Sequence, residues 1–384
     1  MENVVRDSRG KVSFSNHIYE WNILKSLSGR EDVRVQALTV PGVGSWPKGN
    51  RHLFTPSCRT EENGIPVQSV GFCNVWPYFI VSRRLNLQRE LVRILRSYGG
   101  EPLEILLSAP AYYTQQALQQ ALKKVRPDAR VTAILPDVPL IMDEMAGAGS
   151  LRGKALHRRT VHSMQMLEEC DRYILLTEQM RDFIPEGKPY LVMEGVVGMT
   201  PAAPPVNKPV IAYTGVVDRQ FGLEQLVDAF LQLKTRGAEL HIAGSGPMEA
   251  QLREMSRKHP SLHYYGGVSP QDAASIRAAS SVVVNPRTSE MRFTRYSFPS
   301  KNLEYLVSGK TVVAHMLPGI PEEYRPYLIV PQREDAAALA AALDTALALT
   351  PEVVAERAKA ARNFVLRYKT CRPQGDRILQ FLSR

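Results

Sequence analysis

Residues 285–309 read NPRTSEMRFTRYSFPSKNLEYLVSG, a polar loop that leaves an apolar run and enters a helical pattern. Pro299 suits a first helical turn, where its missing N–H is not needed. Ser300 and Lys301 then fall where unbonded backbone N–H groups and the positive end of the helix dipole favour a phosphate, and Lys301 adds a full charge. Glu304 lies three and four residues further on, so it shares their face and can accept hydrogen bonds from two adjacent sugar hydroxyls. Together these residues outline a site for a nucleoside diphosphate. A helix with a solvated lysine and a capping glutamate accounts for the same letters.

Two other loops point the same way. In YTGVVDRQFG, Gly215 permits close backbone approach, and Arg219 offers charge to a diphosphate. HIAGSGPMEAQL repeats the order strand, Gly-x-Gly, helix at Gly244 and Gly246. A Gly-x-Gly alone is equally a tight turn, and the lack of a third glycine and of a placed ribose acid argues against a dinucleotide cofactor.

The elements that must hold these loops are short β-rich runs alternating with helical patterns along the whole chain, which predicts an α/β protein built from βαβ units. In the first half the strands are VRVQALTV, EILLSA, RVTAILP and RYILLTE, with helices near 85–97 and 115–124. The stretch GMTPAAPPVNKP has no periodicity and reads as a linker. PVIAYTG, AELHIAG, SLHYYGG, SVVVNP and TVVAHM then form a second series, with helices near 223–235 and 248–258. The expectation is two Rossmann-like domains facing each other across a cleft: 1–197, a linker at 198–209, and 210–384. The last helical segment, from about Glu352, is expected to pack back on the first domain. MENVVRDSRGKVSFSN is weakly apolar for an opening strand, which suggests a short first strand or residues missing upstream of Met1.

With 384 residues, 44% apolar and 22% charged, the chain can bury a sizeable core. No apolar run approaches the ~20 residues of a membrane span, nor is there a basic-then-apolar leader, so a cytoplasmic protein is expected. The four cysteines lack metal-ligand spacing. The formal charge of +10 favours phosphate-bearing or anionic partners, yet it is spread along the chain, and no RNP-type motif, finger spacing or heptad repeat supports nucleic acid. In SRRLNLQRELVRILRS, Arg89, Arg93 and Arg96 fall on one stripe, which fits either a solvated helix face or peripheral contact with an anionic membrane surface. His17, His162, His241 and His315 show no ligand spacing, so core or surface roles are expected and no metal site is.

The second half resembles the retaining glycosyltransferases of the two-Rossmann-domain (GT-B) type, specifically the group 1, mannosyltransferase and sucrose-synthase-like family. The resemblance is carried by YTG…FGLEQLVDAF, LHIAGSGP, YYGGVSPQDAASIRAASSVVVNPR and YSFPSKNLEYLVSGKTVVA, in order over about residues 210–320. In the first half, AILPDVP and YILLTEQMRDFIPEGKPYLVMEG resemble bacterial polysaccharide-assembly members. The resemblance implies a nucleoside diphosphate sugar as donor substrate, no other cofactor, and a glycan or lipid-linked saccharide as acceptor. It implies that Glu304 holds the donor ribose, that Ser300 and Lys301 meet the β-phosphate, that Gly215 faces the diphosphate, and that Gly267 and Val268 lie near the base. Asp137 matches the second position of a His-Asp pair whose first is Pro136 here.

Two departures bear on mechanism. The family commonly carries a glutamate where Tyr296 stands, and Arg and Lys where Val216 and Phe221 stand. Arg219, Arg287 or Lys301 is expected to supply the charge, and Glu290 to replace the carboxylate. Lys301, Arg219 and the helix start at Ser300 would then carry the leaving group, with fixed cations and amides offsetting developing charge. No Asp-x-Asp motif suggests a metal-held diphosphate. Two alternatives stay open: a sugar-nucleotide-binding scaffold of a polysaccharide assembly complex, and a nucleotide-sugar epimerase.

Overall fold

A computed structural model describes residues 15–141 and 151–384. The start of the chain, where an opening strand is in question, lies outside them. The chain divides after Val196: one unit comprises the described residues up to Val196 with Cys371–Arg384, the other Val197–Thr370.

The first unit opens with α1 (Ser15–Leu27), followed by β1 (Ala37–Thr39), β2 (Phe54–Thr55), β3 (Cys58–Glu62), β4 (Ile65–Ser69), β5 (Phe72–Cys73) and α2 (Tyr78–Ser97). Then come β6 (Glu104–Ser108), α3 (Tyr112–Val125), β7 (Arg130–Leu135), α4 (Leu151–Met166), β8 (Arg172–Leu175) and β9 (Tyr190–Val192). Strands β6-β7-β8-β9 form one parallel sheet in chain order. RVTAIL and RYIL are almost wholly buried, as strands covered on both faces require.

Residues 37–73 depart from the βαβ expectation. The run VRVQALTV shrinks to the three residues of β1, which pairs parallel with β4, while β3 returns antiparallel on β4. The cause is local. Asn63 and Gly64 both take positive φ (52° and 76°), the two-residue turn that matches strand twist and closes a tight hairpin between Glu62 and Ile65.

The second unit contains β10 (Val210–Thr214), α5 (Leu223–Leu231), β11 (Glu239–Ala243), α6 (Glu249–Lys258), β12 (Leu262–Tyr264), α7 (Pro270–Ala278) and β13 (Val282–Asn285). It continues through α8 (Lys301–Ser308), β14 (Thr311–Ala314), β15 (Leu328–Ile329), α9 (Ala336–Leu347) and α10 (Pro351–Tyr368). Its six strands are all parallel, in the order β12-β11-β10-β13-β14-β15. Counted within the unit this is 3-2-1-4-5-6, the doubly wound Rossmann order, with its switch point between β10 and β13. Ile211, Leu240, Ile242, Val282 and Val284 lie with Leu226 of α5 and Leu343 of α9 in one buried cluster.

Two expectations about boundaries change. The Pro-rich stretch 198–209 is tied to the second unit rather than hanging free: Arg362 donates to the Thr200 carbonyl (2.6 Å), the Ala203 N–H donates to Ser308 O (2.9 Å), and Lys310 donates to Pro204 O (2.8 Å). Basic side chains satisfy carbonyls that a proline-rich segment cannot pair in a ladder. The C-terminal helices also separate, because α10 packs on α8 within the second unit and only α11 (Cys371–Leu382) belongs to the first. Ile378 of α11 is fully buried with Ile23 and Leu27 of α1, Ile134 of β7 and Ile174 of β8, burial that contributes about 1.5–3 kcal/mol. Gln374 donates to Gly195 O (2.9 Å), and Arg30 pairs with Asp376 at 2.6 Å.

Among the described residues no single helix is long and apolar enough to cross a membrane.

Candidate functional site

In an open parallel sheet, ligands bind beyond the carboxyl ends of the strands where the winding reverses. Here those ends are Thr214, leading into Gly215, and Asn285, leading into Arg287. A cavity of about 130 Å³ opens there, lined by Val216 and Phe221 after β10, Arg287 after β13, and Pro299, Ser300 and Lys301 at the start of α8.

Backbone approach is tight around it. Gly244 takes φ +146°, and a β-carbon on it would fall on the carbonyl oxygen of Gly215. Only glycine lets the ends of β10 and β11 close to the Gly215 N–H to Ala243 O hydrogen bond of 2.9 Å. A β-carbon on Gly215 would lie 2.8 Å from Lys301 Cε. The glycine thus leaves the room in which the lysine lies.

Helix α8 begins as its sequence predicts. The Asn302 N–H donates to Pro299 O (2.9 Å) and the Leu303 N–H to Ser300 O (3.1 Å), so the N–H groups of Ser300 and Lys301 precede the ladder. Ser300 is exposed at the cap, and its side chain makes no capping hydrogen bond. Buried Asn285 donates through Nδ2 to Oδ1 of buried Asn302 (2.8 Å), fixing the start of α8 to the end of β13.

Two cations reach the cavity. Lys301 has no hydrogen-bond or ion-pair partner among the described residues, and burial, helped by the nearby Arg277 and Arg287, pulls its pKa down from the ordinary lysine value against the pull of Glu304. The Arg287 guanidinium lies 4.6 Å from the Phe221 ring centroid and 5.3 Å from that of Phe293, and its buried Nε has no partner. Its pKa is likewise lowered by burial. Aromatic faces hold a desolvated guanidinium in place without consuming its donors. The cavity therefore offers two cations short of counter-charge, an arrangement that costs energy until an anion arrives.

Glu304 sits one turn into α8, half-exposed, with Oε2 3.7 Å from Arg277 Nη2. Arg277, on α7, also donates to Thr214 Oγ1 at 2.9 Å. Nothing in the spacing of IRAASS marks Arg277, because its neighbours are brought to it by β10 and α8.

Among the expected residues of the second unit, Arg219, Glu290, Gly267 and Val268 do not line the cavity. Arg219 is 68% exposed and pairs with Glu224 at 3.4 Å. Glu290 is exposed in a loop whose Ser289 is held by Glu334 (2.8 Å). Neither lines the cavity, and both lie on exposed turns, where water competes for their charge. Tyr296 is buried, and it too is outside the lining. Exposed Gly267 sits against Ser245 Oγ in the loop after β12, with Val268 beside it. Asp137 lies just beyond the end of β7 in the first unit. On α2, Arg89, Arg93 and Arg96 are exposed, and Arg93 is paired with Glu90 at 2.7 Å.

Residues 208–348 match the family model described as "Glycosyl transferases group 1". That segment is similar to a group 1 glycosyltransferase domain. Solved structures similar to the whole chain include sucrose-phosphate synthase from Thermosynechococcus elongatus, with 18% identity over 96% of this chain and 93% of that one, and a TM-score of 0.62. The catalytic domain of starch synthase IV from Arabidopsis thaliana, bound to ADP and acarbose, gives 11%, 97% and 97%, with a TM-score of 0.64. HepE from Anabaena, in complex with UDP and glucose, gives 15%, 83% and 86%, with 0.57. The fold is the GT-B fold of these glycosyltransferases, two Rossmann-like units in one chain. No curated protein matches the sequence.

Proposed function

We propose that the chain transfers a sugar from a nucleoside diphosphate sugar to a glycan or lipid-linked saccharide, with retention of anomeric configuration. One observation carries this reading: the cavity at the β10/β13 switch point, where Lys301, Arg287 and the free amides at Ser300 stand without a counter-ion. Breaking the bond between sugar and diphosphate leaves negative charge on the β-phosphate. Preorganised cations and amides in a low-dielectric pocket offset that charge at little reorganisation cost. Arg287, held on the Phe221 ring, takes the place assigned from sequence to Arg219.

In this reading Glu304 accepts from the ribose hydroxyls, steadied by Arg277, and Gly215 lets the diphosphate approach the backbone. Gly244 keeps Gly215 in register, and Gly267 and Val268 flank the base. Asp137 in the first unit serves the acceptor side, with Glu290 as the candidate carboxylate of the second unit. The reaction asks no cofactor beyond the donor, and the place of action is the cytoplasm, with the arginine face of α2 against the anionic inner membrane surface.

A second reading, a non-catalytic sugar-nucleotide binder, is favoured by buried Tyr296 at the position where the family resemblance puts a glutamate. Thermal-shift screening of UDP-, GDP-, dTDP- and ADP-sugars identifies the donor, since ligands that bind only the folded state raise its melting temperature. Donor turnover with acceptor, and NMR of the product anomer, then test transfer and retention. A tightly bound donor that is never consumed with any acceptor would leave the binder reading, and interconversion of free sugar nucleotides without acceptor would point to an epimerase.

A further inference from the structure

Histidine spacing in the sequence suggests no ligand set, yet the sheet of the second unit assembles one. Strands β11 and β12 are parallel neighbours in a register that sets His241 opposite His263. Glu239 precedes His241 by two residues, so side-chain alternation puts all three on one face. His241 Nε2 is 3.1 Å and His263 Nε2 3.8 Å from the same oxygen, Glu239 Oε2, and the imidazole rings stand 4.8 Å apart at 69°. One ligand atom from each of the three lies within 4.8 Å of the others.

We propose that Glu239, His241 and His263 bind a divalent transition metal of the zinc class on this face of the sheet. Zinc bonds of about 2.0–2.1 Å set tetrahedral ligand–ligand edges near 3.3 Å, so the observed separations need only side-chain adjustment. The backbone beneath is rigid, because the intervening Leu240 and Ile242, with Leu262 on β12, are fully buried in the core. His263 and Glu239 remain 41% and 44% exposed, which gives a metal an entry path and an open fourth position for water.

A second observation points the same way. The far nitrogen of His241, Nδ1, lies 3.0 Å from the Tyr265 hydroxyl. Metal-bound histidines are characteristically fixed through the nitrogen that does not ligate. A metal on Nε2 needs that nitrogen's lone pair, which leaves Nδ1 to carry the N–H, placed to donate to the Tyr265 oxygen. A simple His–Glu hydrogen bond explains His241 but not why His263 converges on the same carboxylate oxygen. Bound metal would staple edge strand β12 to β11, immediately before the Gly266–Gly267 turn.

The test is titration of the metal-free full chain with zinc chloride against a chromophoric chelator, with melting temperature as a parallel readout. One equivalent of zinc binds the wild type and raises its melting temperature. His263→Gln and Glu239→Gln each weaken binding at least ~10-fold, and Tyr265→Phe does so by ~10–100-fold through the tautomer. His263→Gln, at an exposed position, keeps the metal-free melting temperature of the wild type, which separates ligation from folding. Zinc affinity unchanged in His263→Gln and Glu239→Gln, or no saturable binding below about 100 µM free zinc, would overturn the site. Neither readout depends on turnover, so failure here leaves the donor-binding reading untouched.

Discussion

Lys301 lies along the backbone of Gly215, with its Cε so near that a methyl group on the glycine would stand 2.8 Å away. The lysine carbon is the far end of a flexible side chain and can move, but the hydroxyl of buried Tyr213, which donates to Val216 O at 2.8 Å, would stand equally close. Gly215→Ala is therefore expected to lower the melting temperature as well as to lose about tenfold or more in affinity for UDP. Isothermal titration beside a thermal melt separates the two, and unchanged affinity would detach Lys301 from the donor.

Arg287 and Lys301 should show opposite effects on binding and on stability. Each is a desolvated cation awaiting an anion, so Arg287→Met or Lys301→Met is expected to cost about 1.5–3 kcal/mol of diphosphate binding. Without ligand, the same substitutions leave stability unchanged or raise it, since an unpaired buried charge is removed. Loss of both affinity and ligand-free stability would show that the cations are structural.

The lysine also predicts a pH dependence. Burial lowers the Lys301 pKa, so the ammonium that meets phosphate is lost at a lower pH than for an ordinary lysine. UDP affinity should fall as pH rises from neutrality toward the ordinary lysine value of about 10.4, and binding within that window should take up a proton. In stability terms the sign is reversed: the unfolded chain holds the Lys301 proton more tightly, so ligand-free stability rises with pH over the same window. Titration calorimetry in buffers of different ionisation enthalpy reads the proton, and Lys301→Arg should abolish its uptake.

Gly244→Ala should damage the fold rather than the ligand. It forces a β-carbon onto the Gly215 carbonyl at φ +146°, where the blocking atom is backbone and cannot rotate away. Strain of this kind costs about 1–3 kcal/mol before the clash is counted, so a clear drop in the denaturant midpoint is expected.

Ile378→Ala probes the other unit. Removing a fully buried side chain from the cluster of Ile23, Leu27, Ile134 and Ile174 should cost about 2–5 kcal/mol. Below its melting temperature the variant should still bind UDP with wild-type affinity, because no cavity-lining residue is touched.

The second unit was largely legible in the sequence. PVIAYT and SVVVN are almost wholly apolar, as strands buried on both faces require, and they lead into a glycine and a proline. Pro299, Ser300 and Lys301 mark a helix start because proline, an unbonded amide and a cation are individually suited to that position. These signals depend on neighbours within a few residues, so they survive without a fold. The hairpin at Asn63–Gly64 is equally local: both residues take positive φ between paired strands, a turn signal that a pattern of alternating strands and helices does not contain.

Tertiary structure decided which charges meet. Arg219 and Arg287 are both arginines in loops after strands, and nothing in the letters says that one pairs with Glu224 at the surface while the other lies on the Phe221 ring. The same holds for Arg277 with Glu304, and for His241 facing His263 across a register set by strand pairing. Local sequence fixes backbone preference within a turn or a strand. Convergence of side chains distant in the chain depends on sheet order and register, which the packing of the whole core selects.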